Sequence, residues 1–198
     1  MKNAIVAAAL MALLSVTFQV PSASAHKLRQ KGEAVTVADS RLTVTPQCDW
    51  NRLSGKPGKN AETWTLDGGQ LNDLTFYAGI EAGKPLVKER HKKKDPLPKF
   101  GKSTLLVELP ELLEGTYRTY KKIGAFQLTS TAPARFLGQD GVIFTYDYTD
   151  ADQITRKGEA TAAIVDGKLY MVSFDAPRLH YFDKAIADVR ALVATATL

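Results

Sequence analysis

"VDGKLYMVSFDAPRLHYFDKAIADVRALV", residues 165–193, decides how this chain is built. Asp166-Gly167 suits a two-residue hairpin turn, because both residue types tolerate positive φ. Alternating runs flank it, so "ITRKGEATAAIVDGKLYMVSFDA" predicts a β-hairpin. In the second arm Tyr170, Val172 and Phe174 share one face. Ser173 and Asp175 then point the opposite way, which predicts that they face solvent. Pro177 cannot donate to a ladder and ends the strand. A helix follows, in which Phe182, Ile186, Val189 and Val193 recur at helical spacing. Asp183 sits early, where the helix dipole favours a carboxylate. The group from Arg178 to Asp183 is therefore a strand-to-helix corner. Phe182 belongs to the core, and Arg178 and His180 are candidate surface contacts.

Upstream, "LPELLEGTYRTYKKIG" predicts a second helix. Pro110 fits its first turn. Glu111 and Glu114 lie early and Lys121 and Lys122 late, as the dipole prefers. Leu113, Tyr117 and Tyr120 form its apolar stripe, and Gly124 supplies a stop. Between the helices, "AFQLTSTAPARFLGQDGVIFTYDYTD" predicts a strand, a proline-containing loop and a second strand. In that second strand Val142, Phe144, Tyr146 and Tyr148 alternate with Ile143, Thr145, Asp147 and Thr149. Nearer the N-terminus, "RLTVTPQCDWNRL" is a strand interrupted near Pro46, and "ETWTLDGGQL" is a strand ending in a tight turn. Both helices are amphipathic and need an apolar surface to cover. The expectation is one α+β domain over residues 41–198, an antiparallel β-sheet flanked by helices.

The 198 residues are 44% apolar, enough for a real core, and the formal net charge is +5. "MKNAIVAAALMALLSVTFQVPSASA" (1–25) has a lysine at position 2, an apolar run and Ala23 and Ala25 before a cleavage point. It predicts a secretory signal peptide, a mature chain from His26, and a periplasmic or secreted location. The apolar run is too short for an integral membrane span, and none is expected after cleavage. Residues 26–40 are expected to be flexible. Cys48 is the sole cysteine, so no intramolecular disulfide can form, and it is expected to be buried beside Trp50.

Residues 84–102, "KPLVKERHKKKDPLPKFGK", hold eight lysines and arginines against one Glu and one Asp. Pro96 and Pro98 restrict regular structure, so this is expected to be a solvated, mobile basic loop. Lys88, Arg90, Lys92, Lys93 and Lys94 are its candidate partner-binding residues, joined by Arg178 and His180. The partner is expected to be an envelope protein or an anionic envelope component. Nucleic acid is not expected, because only Phe100 could supply a stacking platform.

The C-terminal order resembles the end of the PsbP-like family, the extrinsic photosystem II subunits and their bacterial relatives. Asp166 to Tyr170, Tyr181-Phe182 and Ala185 to Ala196 carry the resemblance. "GAFQLTSTAP" (Gly124 to Pro133) and "VTPQCDW" (Val44 to Trp50) are looser matches. The resemblance implies an α/β/α sandwich and an accessory or assembly role rather than an enzyme. The basic loop departs from the family pattern, and no metal-binding position carries over.

Few constellations point to chemistry. His26, His91 and His180 form no close ligand pair in sequence. A cleaved N-terminal His26 would offer two nitrogens to copper, with His91 or His180 completing a brace-like site; otherwise no cofactor is expected. Ser173 and His180 near Asp175 and Asp183 evoke a hydrolytic triad, but no nucleophile elbow is present. "DYTDAD" lacks the glycine and distal glutamate of a calcium loop, and "LDGGQL" lacks a phosphate-cradle pattern. The expected function is a non-catalytic secreted accessory or assembly protein of the bacterial envelope. The alternatives are a copper-dependent or hydrolytic periplasmic enzyme and a small-ligand carrier.

Overall fold

The computed structural model describes residues 27–198. The leader and His26 lie outside them. In chain order the strands of the first half are β1 (Lys27–Arg29), β2 (Val35–Thr36), β3 (Thr43–Val44), β4 (Trp50–Arg52), β5 (Ala61–Thr65) and β6 (Asp73–Ile80). Helix α1 (Leu109–Tyr120) follows, preceded by a single 3-10 turn. Then come β7 (Phe126–Phe136), β8 (Gln139–Thr149), β9 (Thr155–Val165), β10 (Lys168–Pro177) and helix α2 (Tyr181–Ala194).

Eight strands make one antiparallel sheet in the order β1-β4-β5-β6-β10-β9-β8-β7. The hairpin predicted at Asp166-Gly167 is its centre, with φ of 50° and 71° at the two turn residues. β7 to β10 form a meander of successive hairpins. The first half of the chain joins it along one seam, β6 against β10. At that seam Gly79 (φ 77°) is an extra residue between the pairs Leu169–Ile80 and Tyr170–Ala78. A left-handed residue in a bulge is the position where glycine costs least.

Strand alternation gives the sheet two faces. Leu74, Phe76, Val172, Phe174 and Ala176 pack on one side with Phe182, Ala185, Val189 and Leu192 of α2. Phe182 is 2% exposed, and burial of a side chain of that size contributes roughly 1.5–3 kcal/mol. Tyr77, Phe144, Tyr146, Tyr148 and Met171 pack on the other side with Leu109, Leu112, Leu113 and Tyr117 of α1. The sandwich is thus covered on both faces, and that has consequences for every polar residue on β10.

Four expectations are corrected. The segment 26–40, expected to be flexible, is tied into the fold from Lys27 onward. β1 pairs with β4, Val37 is fully buried, and Arg29 Nη2 donates to buried Glu62 Oε1 at 2.7 Å. Pro133 lies inside β7 rather than in a loop, because β7 is the sheet's outer edge and hydrogen-bonds on one side only. Helix α1 ends at Tyr120, ahead of the predicted stop at Gly124, and Lys122 takes the left-handed conformation (φ 57°). Cys48 is half-buried, and burial raises its thiol pKa.

Candidate functional site

The basic loop is packed down rather than loosely solvated. Leu86, Val87, Leu97 and Phe100 are buried with the α1 helix against the sheet. Phe100 N donates to Lys84 O at 3.0 Å, and Gly83 N to Phe100 O at 2.7 Å, closing the loop at its base. The charged residues point outward, and Lys88, Arg90, Lys92, Lys93 and Lys94 are all exposed. The alternation of short apolar anchors with cations produces this. Prolines 96 and 98 prevent a regular strand, so each apolar residue finds the core separately. Arg90 lies over the Tyr120 ring at 5.0 Å, and Lys122 Nζ sits 3.4 Å from Asp95 Oδ2. The loop is therefore seated against the C-terminal end of α1.

Arg178 and His180 are exposed on the other side of the molecule, at the start of α2. Arg178 Nη1 lies 3.6 Å from Asp147 Oδ2. His180 adopts φ 71° and packs edge-on against Tyr181 at 5.3 Å. His91 belongs to the basic loop, on the α1 side. The two histidines thus attach to opposite faces of the sheet, and among the described residues no three His, Cys, Asp or Glu side chains gather into a group that could hold a metal.

The larger surprise is on β10. Ser173 and Asp175, expected to face solvent, are fully buried. Their face of the strand is covered by α1, and the polar groups needed to satisfy them come from that helix and from β8. Tyr117 Oη donates to Asp175 Oδ2 at 2.8 Å and lies 3.2 Å from Ser173 Oγ. Tyr148 Oη donates a short hydrogen bond to Asp175 Oδ1. Lys121 Nζ lies 3.1 Å from Asp175 Oδ1 and 3.3 Å from Asp73 Oδ2. Asp73 and Asp175 are direct cross-strand partners, an arrangement that repels unless a cation lies between them. Arg156 closes the cluster, its Nε 3.5 Å from Asp175 Oδ1 and its Nη1 donating to Gln70 O at 2.8 Å. Ser173 is thus a structural hydroxyl, with His180 on the far face, and the sequence neighbours do not form a triad.

Burial and neighbouring charges shift these groups in opposing directions. Burial works to raise the Asp175 carboxyl, but Lys121 and Arg156, with the tyrosine hydrogen bonds, outweigh it and hold the group below its ordinary value. Burial pushes Asp73 up, and Lys121 offsets this only in part. Burial would lower the Lys121 ammonium, yet Asp175, Tyr148 and Asp73 keep it well above its usual range. Burial pushes Tyr77 up to about 12, and it also raises Tyr117, Tyr146 and Tyr148 well above the ordinary phenol value.

A cavity of about 160 Å³ opens beside this cluster, lined by Thr63, Asp73, Thr75, Tyr77, Tyr117 and Lys121 among others. Sequence reasoning missed it, although one signal was present. Tyr117 lies in α1 and Lys121, four residues on, caps its end, and Tyr146 and Tyr148 lie on the predicted core face. Buried tyrosines need partners for their hydroxyls.

No protein-family model and no curated protein sequence matches the chain. Among solved structures, the chain is similar to the solution structure of cyanobacterial PsbP (CyanoP) from Synechocystis sp. PCC 6803, at 10% identity and a TM-score of 0.50, covering 91% of this chain and 96% of that one. A Pseudomonas aeruginosa protein of unknown function aligns at 8% identity and a TM-score of 0.45, over 76% of this chain and 92% of that one. LpqN of Mycobacterium tuberculosis, described as involved in cell envelope biogenesis, aligns at 9% identity and a TM-score of 0.35, over 86% of this chain and 90% of that one. No helix among the described residues is long and apolar enough to cross a membrane. The eight-stranded sheet, its two covering helices and the match to CyanoP give the conclusion that the C-terminal hairpin and helix suggested: this chain has a PsbP-like α+β fold.

Proposed function

We propose that this protein is a non-catalytic accessory protein of the bacterial envelope that docks on an acidic surface of an envelope partner through its basic loop. The observation that carries the reading is the division within residues 84–102. Leu86, Val87, Leu97 and Phe100 are buried, while Lys88, Arg90, Lys92, Lys93 and Lys94 are exposed on the same short segment. A fixed cationic surface loses little conformational entropy on docking and steers an oppositely charged partner. The envelope setting rests on the leader.

The test is retention of the purified mature chain on the native envelope fraction across a salt series. Replacing Lys92, Lys93 and Lys94 with glutamine should weaken retention and flatten its salt dependence. Retention unchanged by the triple substitution would overturn the reading.

A second reading, carriage of a small polar ligand, is favoured by the cavity beside Tyr117 and Lys121. A ligand of a few heavy atoms would accept from the Tyr77 hydroxyl or pair with Asp73. A thermal-shift screen of small polar metabolites tests it. A hit abolished by Thr75→Val, which leaves the Asp175 cluster intact, would support it. A screen without hits, or one whose hits ignore that substitution, would overturn it.

A further inference from the structure

A second charged feature lies at the other end of the β6–β10 seam; it shares Lys84 and Lys88 with the base of the basic loop but not Lys92, Lys93 and Lys94 at its tip. Three segments meet there: residues 56–60 before β5, residues 79–88 after β6, and the start of β10. They enclose a cleft of about 960 Å³. Lys56, Lys59, Lys84, Lys88 and Lys168 surround it, against Asp39 and Glu81. All five lysines are exposed.

The acids do not neutralise the lysines. Lys56 lies 3.5 Å from Asp39, and Lys168 lies 3.3 Å from Glu81, both as exposed pairs that water screens. Lys59, Lys84 and Lys88 have no carboxylate partner among the described residues. The walls are held in place. Lys88 N donates to Pro57 O at 2.8 Å, and a side chain at Gly58 would come within 3.2 Å of Lys88 N, so the first two segments are in close contact. The floor residues Ile80, Leu86 and Val87 are 4%, 1% and 5% exposed. The cleft is bordered by five exposed lysines, three of them without a carboxylate partner among the described residues.

We propose that this cleft binds a ligand carrying two or more phosphate groups. Ammonium groups act on phosphate as point charges from several directions, which suits a multiply charged anion lodged among them. Concavity argues against a flat acidic protein surface, which would meet the basic loop instead. The shared chemistry is clustered phosphate, available from a soluble polyphosphate or from anionic lipid headgroups.

The experiment titrates the mature chain at about 0.15 M salt with inorganic triphosphate, and in parallel with vesicles of cardiolipin, whose headgroup carries two phosphates, and phosphatidylcholine against phosphatidylcholine alone. Two variants of equal charge are compared: Lys59, Lys84 and Lys88 to Gln in the cleft, and Lys92, Lys93 and Lys94 to Gln in the loop. The expected result is triphosphate binding that weakens about tenfold or more in the cleft variant and changes less than about threefold in the loop variant. Binding of the anionic vesicles alone, with the same variant selectivity, identifies the headgroup as the source. Binding of neither probe, or equal weakening by both variants, would overturn the proposal. Loss of envelope retention in the loop variant tests the docking reading separately.

Discussion

Strands β6 and β10 carry charge at both ends of their shared seam, and the two ends treat it in opposite ways. At one end Asp73 and Asp175 face each other within a cluster completed by Lys121, Arg156, Tyr117 and Tyr148. At the other, Lys59, Lys84 and Lys88 border an open cleft and have no carboxylate partner among the described residues. The difference follows from burial. A carboxylate at 0% exposure persists only if its surroundings replace water, so the protein supplies donors from α1, β8 and β9. An exposed ammonium needs no such support and stays free for something outside the molecule. The buried charges are held by partners inside the protein, whereas the exposed ammonium groups are held by water, which a ligand can replace.

The contrast is most sharply tested by Asp175→Ala. Removing the central acceptor strands Lys121 and Arg156 in a poorly hydrated site, with an expected loss of about 3–5 kcal/mol. Urea denaturation measures it, and a loss below about 1 kcal/mol would mean that the cluster is solvated like the far end. Gly158→Ala probes the same region through shape. Its Cβ would lie 2.2 Å from the Tyr146 ring, which is boxed in by Phe126, Tyr117 and Tyr148. The expected cost is about 1–3 kcal/mol by the same measurement.

The pH dependence separates the two carboxylates. Asp175 titrates below its unfolded value of 3.8, so its stabilisation is present above that value and is lost as pH falls through the lower, folded one. Asp73 is raised, so its contribution has the opposite sign, present below 3.8 and lost as pH rises through its folded value. Asp73→Asn should therefore cost less at neutral pH than Asp175→Ala and leave the acid-side loss in place. Denaturation midpoints between about pH 2 and 7 check both signs. The smallest effect is expected at the open end. Glutamine at Lys59, Lys84 and Lys88 should change stability by less than about 0.5 kcal/mol per site, read from thermal melts, whatever happens to anion binding.

Much of the framework was legible because it is local. The Asp166-Gly167 turn, the alternation of Val142 through Tyr148 and the spacing of Phe182 and Val189 are each set by residues close in sequence. Pro133 misled because a proline forbids a central strand but not an edge, and edge position is a property of the whole sheet. Residues 27–40 resisted reading for a similar reason, since the burial of Val37 depends on a core assembled from distant strands. Ser173 and Asp175 show the limit most clearly. Alternation reveals which residues share a face of β10, but whether that face meets water depends on where α1 comes to rest. The exposure of the basic side chains was foreseen. Their anchoring was not, because Leu97 and Phe100 lack any periodic pattern.

The seam has one more consequence, for the order of assembly. β7 to β10 can form by successive hairpins between neighbours in the chain, whereas β6 must wait for a partner that follows α1 and three further strands. Non-local pairings of this kind are slow, because the intervening loop must be closed before any contact rewards it. During synthesis from the N-terminus, β1 to β6 emerge long before β10, so the sheet cannot close until the chain is nearly complete. The contact that sets Asp73 opposite Asp175 is therefore expected to be the last part of the sheet to form.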